Sequence, residues 1–240
     1  MIIENYRRNL LDSKQLVFKL EKKIINNRQN FFVSDCNKHV LKALDNFHLW
    51  SNKKLIILGP KSSGKSHLLK IWSEKVNSKI FNLRDLLNYE LPFLINQNFI
   101  AIDDLNHILD FSGKKRNLIE EILFHIFNSK LSANKSKGGL LITSSKSFSY
   151  EKIFLKDLSS RLSATETINL SAPDEKLINA LFIKLFDDRE LRVKPSLINF
   201  LSINIERSFE EVNNFVKEID KISLREKIDL TRKLAKKILE

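Results

Sequence analysis

The order of apolar segments predicts an α/β fold, a five-stranded parallel sheet sandwiched between helices, followed by a small all-helical domain. Three observations lead there. From residue 31 onward, short apolar runs alternate with longer amphipathic segments. A glycine-bearing turn, Gly59-Pro-Lys-Ser-Ser-Gly-Lys-Ser66, joins the first run to a helical stretch. After Pro173 the strand-like runs stop and only helical patterns remain.

The predicted strands are Leu55–Leu58, Lys79–Asn82, Phe99–Ile102, Leu140–Thr143 and Thr167–Leu170. Their alternation with helices at 65–77, 116–132 and 157–162 implies crossover connections and therefore a mostly parallel sheet covered on both faces. The second domain is expected to hold helices near 174–188, 195–204, 208–224 and 231–239. Asp174, Ser208 and Thr231 stand at N-cap positions, and Pro195 suits a first helical turn. Residues 1–30 are polar, include the run Asn26-Asn-Arg-Gln-Asn30, and are expected to form a flexible arm. The expected organisation is thus an arm (1–30), a core (31–172) and a helical lid (173–240).

Composition narrows the setting. With 240 residues, 42% hydrophobic and 29% charged, the chain suits one α/β core and a small companion domain. Its single cysteine, Cys36, excludes an intrachain disulfide, and no apolar run approaches the roughly 20 residues of a spanning helix. Glu4, Arg7 and Arg8 interrupt the region where a signal peptide has its apolar core, so a cytoplasmic protein without a membrane partner is expected. The net charge of +12 invites nucleic-acid contact, but the chain is rich in Lys, Asn and Ile, whose codons can be AT-rich. That charge is therefore taken as compatible with weak, non-specific DNA contact.

The turn at 59–66 matches G-x-x-x-x-G-K-[ST] in full, between a buried strand and a helix. Gly59, Pro60, Lys61, Ser62, Ser63, Gly64 and His67 are expected to line the nucleotide, with the backbone N–H groups of the loop and the helix N-terminus cradling its phosphates. Lys65 is expected to reach the β- and γ-phosphates, and the Ser66 hydroxyl to ligate Mg²⁺. The strand Phe99–Ile102 ends in Asp103-Asp104: Asp103 would hold the metal through water, and Asp104 would polarise an attacking water. Thr143, Ser144 and Ser145 form a polar strand tip suited to sensing a γ-phosphate. Arg161, in Asp157-Leu-Ser-Ser-Arg161, is placed to enter a neighbouring subunit's nucleotide site.

In this order, the loop at 59–66, the Asp pair, the polar tip, Arg161 and the helical lid resemble the AAA+ family over residues 31–240. Gly-Lys-Ser-His67, Ile-Asp-Asp104, Phe124-His-Ile-Phe-Asn128 and Leu-Ile-Thr-Ser144 look like the replication initiator DnaA. The sequence is read as ending with the lid, with no helix-turn-helix domain expected after it, and on that reading it is most similar to the Hda regulators. That resemblance implies ADP or ATP with Mg²⁺ as cofactors, a DnaA-type initiator and the β subunit of the DNA sliding clamp as partners, and leaves a homodimer open. It also implies that Gln15-Leu-Val-Phe-Lys-Leu20 is the clamp-binding peptide, with Gln15 at the rim and Leu16, Phe18 and Leu20 as anchors. One departure concerns the lid, where related families place a sensing arginine. Here Glu210 falls at that position, with Arg207 one turn earlier as the substitute sensor. The expected function is negative control of replication initiation with weak intrinsic ATPase; the alternative is an autonomous ATPase acting as a helicase loader or another replication motor.

Overall fold

A computed structural model of the chain describes residues 32–129, 138–145, 149–226 and 231–239. The predicted clamp peptide, Gln15 to Leu20, lies outside the described residues.

Five strands form one parallel sheet: β1 (Lys54–Leu58), β2 (Lys79–Asn82), β3 (Phe99–Asp103), β4 (Gly139–Ser144) and β5 (Thr167–Asn169). Their order is β2-β3-β4-β1-β5, with every pairing parallel. Successive side chains of a strand point to opposite faces, and both faces here are apolar. Ile56, Ile100, Ile102, Leu140 and Ile142 pack on one face with residues of α3 (Leu83–Leu86), α4 (Leu91–Asn96), α5 (Gly113–Ser129) and α6 (Lys156–Ser163). Leu55, Ile57, Ala101 and Leu141 pack on the other with α1 (Lys38–Asp45) and α2 (Lys65–Val76). Trp72 of α2 stacks on Trp50 there, at 5.4 Å between ring centroids.

The lid comprises α7 (Glu175–Asp187), α8 (Pro195–Asn204), α9 (Phe209–Glu226) and α10 (Arg232–Leu239) around its own apolar cluster, including Phe182, Phe186, Leu201, Phe215 and Val216. The expected caps form. Asp174 accepts a hydrogen bond from the Leu177 N–H (2.8 Å), the Ser208 hydroxyl accepts from Glu211 N–H (3.1 Å), and the Thr231 hydroxyl accepts from Leu234 N–H (3.3 Å). Pro195 opens α8. The sequence reading did not anticipate α1, α3 or α4, and it began α5 three residues late. Among the described residues, no helix is long and apolar enough to cross a membrane.

Candidate nucleotide site

Parallel register brings the sequence motifs to one edge of the sheet. Leu58 pairs with Ser144, Ile102 with Ile142 and Asn82 with Asp103, so β1, β3 and β4 end side by side. Crevices at the carboxyl ends of parallel strands are where α/β folds take their ligands. The segment from Gly59 leaves β1 there and turns into α2 at Lys65. Ser62 (φ +54°) and Gly64 (φ +97°) adopt left-handed backbone, which curls the loop into a concave nest. A Cβ on Gly59 would stand 2.9 Å from the Leu170 carbonyl, so this position excludes any side chain without a backbone shift. The buried Ser63 hydroxyl has no hydrogen-bond partner among the described residues. Pro60 closes the first bend: its carbonyl, with that of Gly59, accepts hydrogen bonds from Lys65 Nζ at 2.7 and 3.1 Å. Burial pushes the Lys65 pKa down, while Asp104 and Asp103 act in the opposite direction.

These residues fit a polyphosphate with its cation. The loop offers backbone donors and the ammonium groups of Lys61 and Lys65. Ser66 is exposed at the start of α2, and Asp103 ends the strand that carries it. A hydroxyl and a carboxylate are the donor types Mg²⁺ takes when phosphate and water supply the rest.

The polar tip of β4 ties the acidic pair in place. Thr143 Oγ1 donates to Asp103 Oδ1 (2.6 Å) and accepts from the Asp104 N–H (2.8 Å). Asp104 (φ +51°) turns the chain out of β3 into the 3₁₀ turn Leu105–Asp110, and its carboxylate accepts from Asn106. Asn106 Oδ1 in turn accepts from Ser144 Oγ, Ser145 N–H and Ser145 Oγ. Thr143 and Ser144 are themselves fully buried, so their hydroxyls face these partners rather than solvent. Asn106 was missed from sequence, because its role depends on β3 and β4 lying in register.

The lid closes on the loop through α9. The Phe209 N–H donates to the Ser62 carbonyl (3.0 Å), and a Cβ on Gly64 would stand 3.2 Å from the Phe209 ring. Glu210 faces the loop: its carboxylate accepts from Ser62 Oγ (2.7 Å) and lies 3.4 Å from Lys61 Nζ. The Ser62 hydroxyl and then Lys61 hold the Glu210 carboxyl below its ordinary range. Arg207, two residues before α9, is exposed. His67 faces the lid from α2; burial, then Lys184 and Lys70, push its pKa down to about 4.

Arg161 lies elsewhere. It sits on α6 in a recess with Lys54, the first residue of β1, whereas the phosphate loop leaves the far end of that strand. Its guanidinium is 5.2 Å from the Phe124 ring centroid. Upstream, Glu120 of α5 accepts from the Leu155 N–H (2.7 Å) and from Arg116 Nε (3.0 Å), and Arg116 also donates to the Lys152 carbonyl.

No family model matches the chain. It is 27% identical over 218 residues to the chromosomal replication initiator protein DnaA of Spiroplasma citri, an alignment covering 80% of this chain and 47% of that protein. The chain thus spans about half the length of that curated relative. Domain III of the Thermotoga maritima replication initiation protein DnaA superposes with a TM-score of 0.71 at 18% identity, covering 89% of this chain and 95% of that one. AMPPCP-bound DnaA from Aquifex aeolicus gives 0.64 at 20% identity, covering 87% and 68%. A DnaA bound to AMPPCP and single-stranded DNA gives 0.62 at 19%, covering 83% and 67%. The chain has the AAA+ fold of domain III of the DnaA initiators, and its sequence is related to theirs.

Proposed function

We propose that this chain is a negative regulator of replication initiation. It holds ADP or ATP with Mg²⁺ at Gly59–Ser66, docks on the β sliding clamp through residues 15–20, and presents Arg161 to the ATP of a DnaA-type initiator. One observation carries the reading: Arg161 sits beside the first residue of β1 and the phosphate loop follows the last. A strand of 5 residues spans roughly 15 Å at about 3.3 Å per residue. An arginine so placed serves a neighbour's γ-phosphate rather than its own, where such a cation contributes about 10³–10⁵ in rate. The AMPPCP-bound relatives support nucleotide at the loop. Glu210, in place of a sensing arginine, weighs against rapid turnover of the chain's own nucleotide.

A second reading, an initiator-like ATPase in its own right, draws on the Asp103–Thr143 bond, which keeps an acidic pair beside the loop. One assay separates the two. Clamp-loaded initiator charged with ATP is followed in a single turnover, alone and with wild-type or Arg161→Ala protein. The regulator reading expects acceleration by the wild type, loss of at least tenfold of it in Arg161→Ala, and no clamp capture after deletion of Gln15 and Leu16. Equal acceleration by both proteins sinks it, and Lys65-dependent turnover without initiator favours the second reading.

A further inference from the structure

On the sheet edge away from the phosphate loop, a cavity of about 100 Å³ is walled by Lys54, Arg161, Phe127 and Thr165, with Ser51 and Asn52 alongside. Lys54 is only 4% exposed, a rare condition for a lysine. Its Nζ lies 5.8 Å from the Phe127 ring centroid, as Arg161 lies 5.2 Å from Phe124. Among the described residues, the contacts of these two cations are ring faces rather than carboxylates. Glu166, next to Thr165, is taken up by the Ser51 N–H (3.0 Å) and is not part of the cavity wall.

Burial, and after it the Arg161 charge, pushes the Lys54 pKa down to about 8. Two like charges in one recess, Lys54 buried and Arg161 half-buried, are costly until an anion completes them. The cavity has room for about three waters' worth of volume, the scale of one tetrahedral oxyanion. The Ser51 hydroxyl and the Asn52 side-chain amide also line the cavity and can donate to the remaining oxygens, whereas the Thr165 hydroxyl donates to the Arg161 carbonyl (2.7 Å).

We propose that Lys54 and Arg161 together form a receptor for one phosphate group, with Lys54 as the buried point charge and Arg161 as the half-buried planar fork. The inference rests on Arg161 acting in trans and adds a second cation to it. The phosphate comes from the nucleotide of the bound initiator or from free phosphate in solution.

The test reads Lys54 itself. Amine acetylation of the full chain at pH 8 is followed residue by residue by mass spectrometry, in inorganic phosphate and in chloride of equal ionic strength. Bound phosphate keeps Lys54 protonated and should lower its labelling several-fold in the wild type. In Arg161→Ala the phosphate-to-chloride ratio should return to about one. Equal Lys54 labelling in both salts in the wild type overturns the receptor, and the site-resolved readout excludes phosphate held at Gly59–Ser66.

The second arm adds Lys54→Met, which keeps the side-chain length without the charge, to the initiator assay. About tenfold slower hydrolysis assigns the phosphate to the partner's nucleotide; a wild-type rate with protection intact assigns it to free phosphate. Loss of protection with Arg161-dependent hydrolysis retained removes the receptor and leaves the regulatory reading standing. Protection retained with Arg161-independent hydrolysis removes the regulatory reading and keeps a receptor for free phosphate.

Discussion

Glu210 places an anion against the loop whose backbone is built for anions. Its carboxylate takes the Ser62 hydroxyl and draws in Lys61, so two loop groups suited to phosphate are engaged by the lid. Polyphosphate entering the loop must compete with that carboxylate and its charge. Glu210→Gln keeps a hydrogen-bond acceptor and removes the charge, so ADP should bind several-fold tighter by titration calorimetry; unchanged or weaker binding would show that Glu210 does not oppose phosphate. Because the folded Glu210 pKa is lowered, its hold on Ser62 and Lys61 is present above the ordinary carboxyl range and is lost as pH falls through the lower folded value. The wild-type and Glu210→Gln affinities should therefore converge in acid. The placement of Lys65, Ser66 and Asp103 at one end of the sheet was legible because their motifs are local in sequence and need only a strand before them. The Glu210–Ser62 bond joins residues 148 apart, and nothing in either segment announces it.

The helix that carries Arg161 is held from outside itself. Its N-cap residue, Leu155, offers no side-chain oxygen, and the orphan N–H there is satisfied by Glu120 of α5. Glu120 is 1% exposed and Arg116 7%, so the pair is buried, and Arg116 also grips the Lys152 carbonyl and stacks 3.8 Å from the Phe154 ring centroid. Removing one member of such a pair leaves an uncompensated buried charge. Glu120→Ala should cost about 3–5 kcal/mol in urea unfolding. The double variant Arg116→Met, Glu120→Leu, which removes both charges, should recover most of that; a single variant costing under about 1 kcal/mol would mean the anchor is incidental. Sequence periodicity could not find this pair, which reads as an ordinary i,i+4 surface bridge. It found the strands, whose apolar runs are buried on both faces, and the lid helices, three of which carry side-chain caps while Pro195 opens the fourth. It missed α3 and α4, of 4 and 6 residues, because fewer than two turns show too little periodicity to stand out from loop; α1, of 8 residues with Val40, Leu41 and Leu44 on its buried side, was overlooked although its spacing is helical.

Two buried bases at opposite edges of the sheet set how the whole molecule responds to pH. His67, under the lid, keeps its ring neutral to about 4, whereas the unfolded chain protonates it near 6.5. Lys54 loses its proton near 8 in the folded state and near 10.5 in the unfolded state. In both windows the unfolded chain binds more protons, so the free energy of unfolding rises with pH from about 4 to 6.5 and again from about 8 to 10.5. At 1.36 kcal/mol per unit, each window is worth on the order of 3 kcal/mol. Exposed groups add slopes of their own, so the contributions are isolated as differences between wild type and variant. Urea unfolding of the nucleotide-free chain across pH 4–10.5 should show Lys54→Met losing the alkaline rise and His67→Asn losing its share of the acid fall. Phosphate must be absent from the buffer, because an anion beside Lys54 stabilises its charged form and moves the alkaline window upward. Repeating the alkaline arm in phosphate then becomes a second reading of the Lys54–Arg161 recess. A rise that keeps its position in both buffers would mean that no phosphate enters it.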